Sequence, residues 1–144
     1  PTIGTSYVAT GAIDWSVLLI ALPVGLITDG ILHSNNTRDT LTDRRAGIKT
    51  MAMGLGHKAS AILYGFEVIF PYVWIGVLSI MGLMPITTIV IFLTLAVAIG
   101  CAKTMMHSLE GGSGVIADLD VRTANLQLMF SALLTVAFIV AKFI

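Results

Sequence analysis

A chain of 144 residues with 56% hydrophobic and only 11% charged residues, and a mean hydropathy of +0.94, lies far from the soluble average and reads as an integral membrane protein. The formal net charge of zero says nothing about nucleic acid, and no basic run with interleaved aromatics supports it, so no nucleic-acid partner is expected. The single cysteine, Cys101, excludes an internal disulfide and reads as a small buried hydrophobe.

Residues 3–12 are mixed in character and too short to cross a bilayer, and no charged segment leads into an apolar one as in a signal peptide. Residues 15–34 form the first expected span, about 20 residues long, as a hydrocarbon core requires. Pro23 and Gly25 interrupt it, which membrane helices tolerate where neighbours satisfy the freed backbone groups. Asp29 and His33 fall at i and i+4, so both are expected on the face that leads to Asn36. An acid within a span is costly and is expected to be functional or paired, unless it already lies at headgroup depth and is simply wet.

Residues 34–56, SNNTRDTLTDRRAGIKTMAMGLG, are the stretch around which the rest is organised. On a helix, Asn36, Asp39 and Asp43 would share one face. Two carboxylates one turn apart beside an amide oxygen suit a hard cation such as Mg2+. Arg38, Arg44, Arg45 and Lys49 lie beside them and could receive phosphate oxygens, with arginine offering two-pronged contacts. A solvated basic loop that merely obeys membrane topology is the plain alternative. Gly47, Gly54 and Gly56 carry no nucleotide-binding spacing and read as punctuation before the next helix.

Asn35-Asn36-Thr37-Arg38-Asp39, followed by Asp43-Arg44, Ala46-Gly47, Lys49-Thr50 and Leu55-Gly56, resembles the second aspartate-rich motif of the UbiA superfamily of intramembrane aromatic prenyltransferases. The Asn-Asn-x-Arg-Asp opening is similar to that of the 1,4-dihydroxy-2-naphthoate prenyltransferases of menaquinone synthesis and of their vertebrate menaquinone-making relatives. The resemblance continues through Pro71-Tyr72 and Arg122-Thr123-Ala124-x-Leu126.

Residues 60–82 are the second expected span. Glu67 lies about two turns inside it and should either be paired within the bundle or face a partner protein. Residues 81–85 form an uncharged turn, and residues 86–104 the third span, with Met105 and Met106 as packing residues at its end. Lys103, His107 and Glu110 lead into a flexible Gly111-Gly112-Ser113-Gly114 loop. Asp118 and Asp120 would sit on different faces of any helix and do not read as a metal pair. Residues 125–144 are the fourth span. Seven of the eight Lys/Arg residues lie in the loops after spans one and three, so both loops are expected on one side, the cytoplasmic one.

The expected fold is therefore an all-α, multi-pass bundle of four transmembrane helices. The resemblance makes residues 1–144 the C-terminal half of a nine-helix UbiA-type domain. It implies Mg2+ held by Asp39 and Asp43, and a polyprenyl diphosphate bound with help from Asn36, Arg38, Arg44 and Lys49. It also implies transfer of the prenyl group to an aromatic quinone precursor such as 1,4-dihydroxy-2-naphthoate, with Asp29 assisting removal of the ring proton. The family also needs an N-terminal half with a first aspartate motif, so this half alone is expected to be inactive. Two other readings stand beside it. One is a non-catalytic membrane subunit that packs, or binds quinone or pigment, against other subunits and lipid. The other, resting only on the intramembrane acids, is a transporter or channel segment.

Overall fold

The apolar runs become helices because a chain in lipid must satisfy its backbone groups internally. The computed structural model describes residues 2–144. It contains α1 (Thr2–Thr10), α2 (Val17–Arg38), α3 (Thr40–Arg45), α4 (Met51–Leu55), α5 (His57–Ile80), a 3-10 run (Ile86–Thr94) that continues into α6 (Leu95–Gly111), a 3-10 turn (Ser113–Ile116) and α7 (Leu119–Val140). Among the described residues, four stretches are long and apolar enough to cross a membrane: Val17–Arg38, His57–Ile80, Ile86–Gly111 and Ser113–Val140. The all-α, four-span expectation holds. At 22 residues, α2 is about 33 Å long, enough for the hydrocarbon layer.

The spans pack as a ring of four. Helix α2 lies between α5 and α7, α5 also meets α6 and the 3-10 run, and α7 closes against both of these. Helix α5 buries Ser60, Tyr64, Glu67, Pro71, Ile75 and Leu78, spaced three or four residues apart, so one continuous stripe faces the bundle. Lipid removes most of the hydrophobic drive between helices, leaving packing and hydrogen bonds to hold them. Four interhelical hydroxyl pairs are buried in the core: Thr37–Ser60 at 2.9 Å, Tyr64–Thr123 at 2.6 Å, Tyr72–Thr94 at 2.7 Å and Ser79–Thr88 at 2.6 Å. Such bonds contribute on average about 0.6 kcal/mol each.

Proline in α2 is accommodated by a neighbour. Pro23 cannot donate to the Leu19 carbonyl, and the indole Nε1 of Trp74 on α5 donates to that oxygen at 2.9 Å. Further along the same helix, Gly30 brings α2 close to its neighbours. A Cβ there would lie 3.4 Å from Val68 on α5 and 3.6 Å from both Tyr64 and Thr123.

The helix ends differ from the expected spans. Helix α2 runs on through the polar residues Asn35 to Arg38, and α6 extends to Gly111. The third span also begins as a 3-10 helix. Thr88 and Thr94 turn their hydroxyls onto the carbonyls of Pro85 and Ile91, three residues back, which favours the tighter winding.

Candidate functional site

One end of the bundle gathers the polar chemistry. It comprises the C-terminal end of α2 with α3 and α4, the start of α5, the end of α6 and the start of α7. Two contacts tie the loops together. Arg38 Nη1 at the end of α2 donates to Asp120 Oδ2 on α7 at 2.9 Å and to the Ala117 carbonyl at 3.0 Å. His57 Nε2 on α5 lies 2.8 Å from Ser108 Oγ on α6. The two charged loops do share one side of the bundle.

The aspartate motif is nearly one continuous helix. Asp39 leaves helical geometry between α2 and α3, yet its amide bonds to the Asn35 carbonyl and its carbonyl accepts from the Asp43 amide, both at 2.9 Å. Asp39 and Asp43 are thus one helical turn apart. Thr40 caps its own turn by donating to the Asn36 and Thr37 carbonyls.

Arg38 makes a fork to its neighbour, Nε to Asp39 Oδ1 at 2.9 Å and Nη2 to Oδ2 at 3.0 Å, and Nη2 also donates to Asn35 Oδ1. This guanidinium holds the Asp39 carboxyl below the usual carboxylate range, against a smaller opposing effect of burial. Arg38 is therefore already engaged with two carboxylates, whereas Arg44, Arg45 and Lys49 are exposed. Asp43 and Asn36 are half-buried, and among the described residues no cation is paired with the Asp43 carboxylate.

Two open spaces border α2. A cavity of about 300 Å3 is lined by Thr37, Arg38, Thr40, Leu41, Arg44 and His57 together with glycines from both loops. Asn36, Asp39 and Asp43 do not line it. On another face of α2 a cleft of about 700 Å3, lined by Val24, Gly25, Thr28, Asp29 and Leu32 among others, opens beside α1. Asp29 is exposed in that cleft, whereas His33 is 2% exposed and turned into the bundle. The expectation that both occupy one face fails. Residues four apart on a helix are offset by about 40°, and the edge of the packed face falls between them.

Glu67 proves to be paired within the bundle. Its carboxylate oxygens lie 2.9 and 2.8 Å from His33 Nδ1, and His33 Nε2 lies 2.6 Å from Ser60 Oγ. Sequence reasoning flagged Glu67 and His33 separately. The signal it missed was complementarity, since a buried acid and a buried histidine on neighbouring spans each need a partner of the other kind. Asp120 as the partner of Arg38 left no sequence signal, because 82 residues separate the two.

A metal at the motif would find a partial shell. No group of three or more His, Cys, Asp or Glu able to hold an ion occurs among the described residues. Two carboxylates one turn apart match in kind the one or two by which Mg2+ is commonly held, with water and substrate phosphates completing its shell, although both oxygens of Asp39 also accept from Arg38.

The family model for the UbiA prenyltransferase family matches residues 1–114. The chain belongs to the UbiA prenyltransferase family. Its relatives include the UbiA prenyltransferase domain-containing protein 1 homolog of Drosophila melanogaster, 51% identical over 63 residues, which cover 44% of this chain and 18% of that protein. UbiA prenyltransferase domain-containing protein 1 of Homo sapiens is 42% identical over 72 residues, 50% of this chain and 21% of that protein. A longer match, 26% identical over 137 residues, covers 95% of this chain and 43% of the 1,4-dihydroxy-2-naphthoate octaprenyltransferase of Bacillus subtilis. The chain thus spans less than half the length of these relatives. No solved structure matches it.

Proposed function

We propose that this chain is the diphosphate-holding part of a membrane prenyltransferase that moves a polyprenyl group from its diphosphate to an aromatic quinone precursor. The observation that carries the reading is the Asp39/Asp43 pair, one helical turn apart at the charged end of the bundle, in a chain of this family.

Asp39, Asp43 and Asn36 would hold Mg2+ and present it to the diphosphate. When bound, Mg2+ neutralises charge that builds on the departing diphosphate. Arg44 and Lys49, exposed beside the motif, are the free cations that would meet its oxygens. Arg38 serves differently: its fork fixes the Asp39 carboxylate as an anion and ties it to α7. The apolar cleft along α2 is where a prenyl tail would lie, with Asp29 on its wall as acceptor of the proton lost by the attacked ring. A complementary half would supply a second acidic motif and the opposite wall. The excess of cations on this end makes it the cytoplasmic face by the positive-inside rule.

The acceptor proposed is 1,4-dihydroxy-2-naphthoate, supported by the Asn35-Asn36-x-Arg38-Asp39 opening and the long match to the Bacillus subtilis octaprenyltransferase. The test uses the full-length protein in proteoliposomes with a radiolabelled prenyl diphosphate, with and without Mg2+, offered this acceptor or 4-hydroxybenzoate. Prenylated naphthoate formed only with Mg2+ is expected. Transfer to 4-hydroxybenzoate alone would overturn the acceptor, and no transfer to either would favour a non-catalytic membrane subunit.

A further inference from the structure

The buried polar cluster between α2 and α5 takes no part in the ligand chemistry above, and it is expensive. His33 and Glu67 are each 2% exposed, in segments apolar enough to cross a membrane, where an unpaired charge is costly. Hydrogen bonds link the whole cluster. Thr37 Oγ1 donates to the His33 carbonyl at 2.8 Å and lies 2.9 Å from Ser60 Oγ. Ser60 Oγ is 2.6 Å from His33 Nε2, and His33 Nδ1 faces both Glu67 oxygens at 2.9 and 2.8 Å. Every buried polar side-chain atom of the cluster thus has a partner.

We propose that this His33–Glu67 pair, with Ser60 and Thr37, is a positioning device that sets the rotation of the last turns of α2 and thereby aims the Asp39/Asp43 motif. Residues Ser34 to Arg38 are all polar, so apolar packing gives that turn little to hold. Directional bonds must choose its angle. One residue of helix rotation is about 100°, enough to carry Asp39 from one side of α2 to another. The arrangement is close to the motif: His33 is five residues before Arg38, about 7.5 Å along the axis. At Gly30, α2 sits so near Val68 and Tyr64 of α5 that a Cβ would just reach contact and only a larger side chain would push the helices apart. The Tyr64 ring meets His33 edge-on at 6.4 Å and its hydroxyl reaches Thr123 on α7, so α2 is referenced to both neighbours. Buried ionic groups of this kind are best attested as devices that fix register, while removing one partner leaves a stranded charge.

The proposal rests on the reading that Asp39 and Asp43 hold the Mg2+–diphosphate, so its test has a readout that does not depend on turnover. In the full-length protein, Glu67→Leu, Ser60→Ala and the double variant His33→Leu/Glu67→Leu are compared by hydrogen–deuterium exchange and by the Mg2+ concentration giving half-maximal transfer. The double variant leaves no buried unpaired charge, so it folds even if Glu67→Leu does not. Residues 34–45 are expected to exchange several-fold faster in the double variant and in Ser60→Ala, with residues 124–140 unchanged. Half-saturation by Mg2+ should rise roughly tenfold or more, the cost typical of losing a group that orients metal ligands. Wild-type exchange over 34–45 in the double variant would show that the pair only fills space, and the proposal would be wrong. Absence of Mg2+-dependent transfer in the wild-type protein would strike the prenyl-transfer reading instead, and the exchange data would still decide this one.

Discussion

Replacing Arg38 with alanine should cost about 2 kcal/mol of stability, most of it through the bonds to Asp120 and to the residues before α7. Hydrogen bonds to charged groups contribute about 1.5–3 kcal/mol when shielded, whereas fully exposed ion pairs contribute about 0–1 kcal/mol. Arg38 and Asp120 stand between these limits, with side chains 25% and 22% exposed, so their pair is worth about 1 kcal/mol after solvent screening. The fork to Asp39, at 35% side-chain exposure, and the Ala117 carbonyl supply the remainder. A double-mutant cycle isolates the α2–α7 pair: Arg38→Ala, Asp120→Ala and both together, each followed by equilibrium unfolding in mixed micelles. The expected coupling is about 1 kcal/mol, shrinking as salt is added. Arg38→Lys should recover only part of it, because an ammonium cannot make the fork. Additivity within about 0.3 kcal/mol would refute the clamp.

Other outcomes follow from the same geometry. The Arg38 fork lowers the Asp39 carboxyl, so its contribution to stability is fully present above the ordinary carboxylate range. It is lost as pH falls through the lowered value, and acid unfolding of the Asp39→Asn variant should therefore lack that portion of the pH dependence seen in the wild type. Gly30→Leu places a branched side chain where even a Cβ meets Val68 at 3.4 Å. It should destabilise by about 1–3 kcal/mol through overpacking and loosen residues 34–45 in hydrogen exchange, whereas Gly30→Ala should be tolerated.

The fold was largely legible because four apolar runs separated by charged or glycine-rich turns leave a membrane chain few choices. The ends were less so. Helix α2 outruns its apolar stretch because Thr37 and Thr40 satisfy carbonyls of their own turn, a local effect that hydropathy does not register. The 3-10 start of the third span likewise depends on threonine rotamers. At the candidate site, the spacing of Asn36, Asp39 and Asp43 was readable from helical periodicity alone. The separation of Asp29 from His33 was not, because an offset of about 40° decides between core and cleft only once the neighbouring helices are placed. Arg38 carried the same ambiguity in another form. Its charge suggested a phosphate ligand, and only the fold shows Asp39 and Asp120 already around it.

The central claim is that Asp43, the motif carboxylate left free of any cation, carries Mg2+-dependent prenyl transfer. The measurement that tests it most directly is the Mg2+ dependence of transfer from a labelled prenyl diphosphate by the full-length protein and its Asp43→Ala variant, both at matched folded fraction. Asp43 is half-buried and outside every ion pair among the described residues, so the variant should unfold like the wild type while losing roughly a hundredfold or more of its turnover. Near-normal turnover at the wild-type Mg2+ requirement would contradict the account.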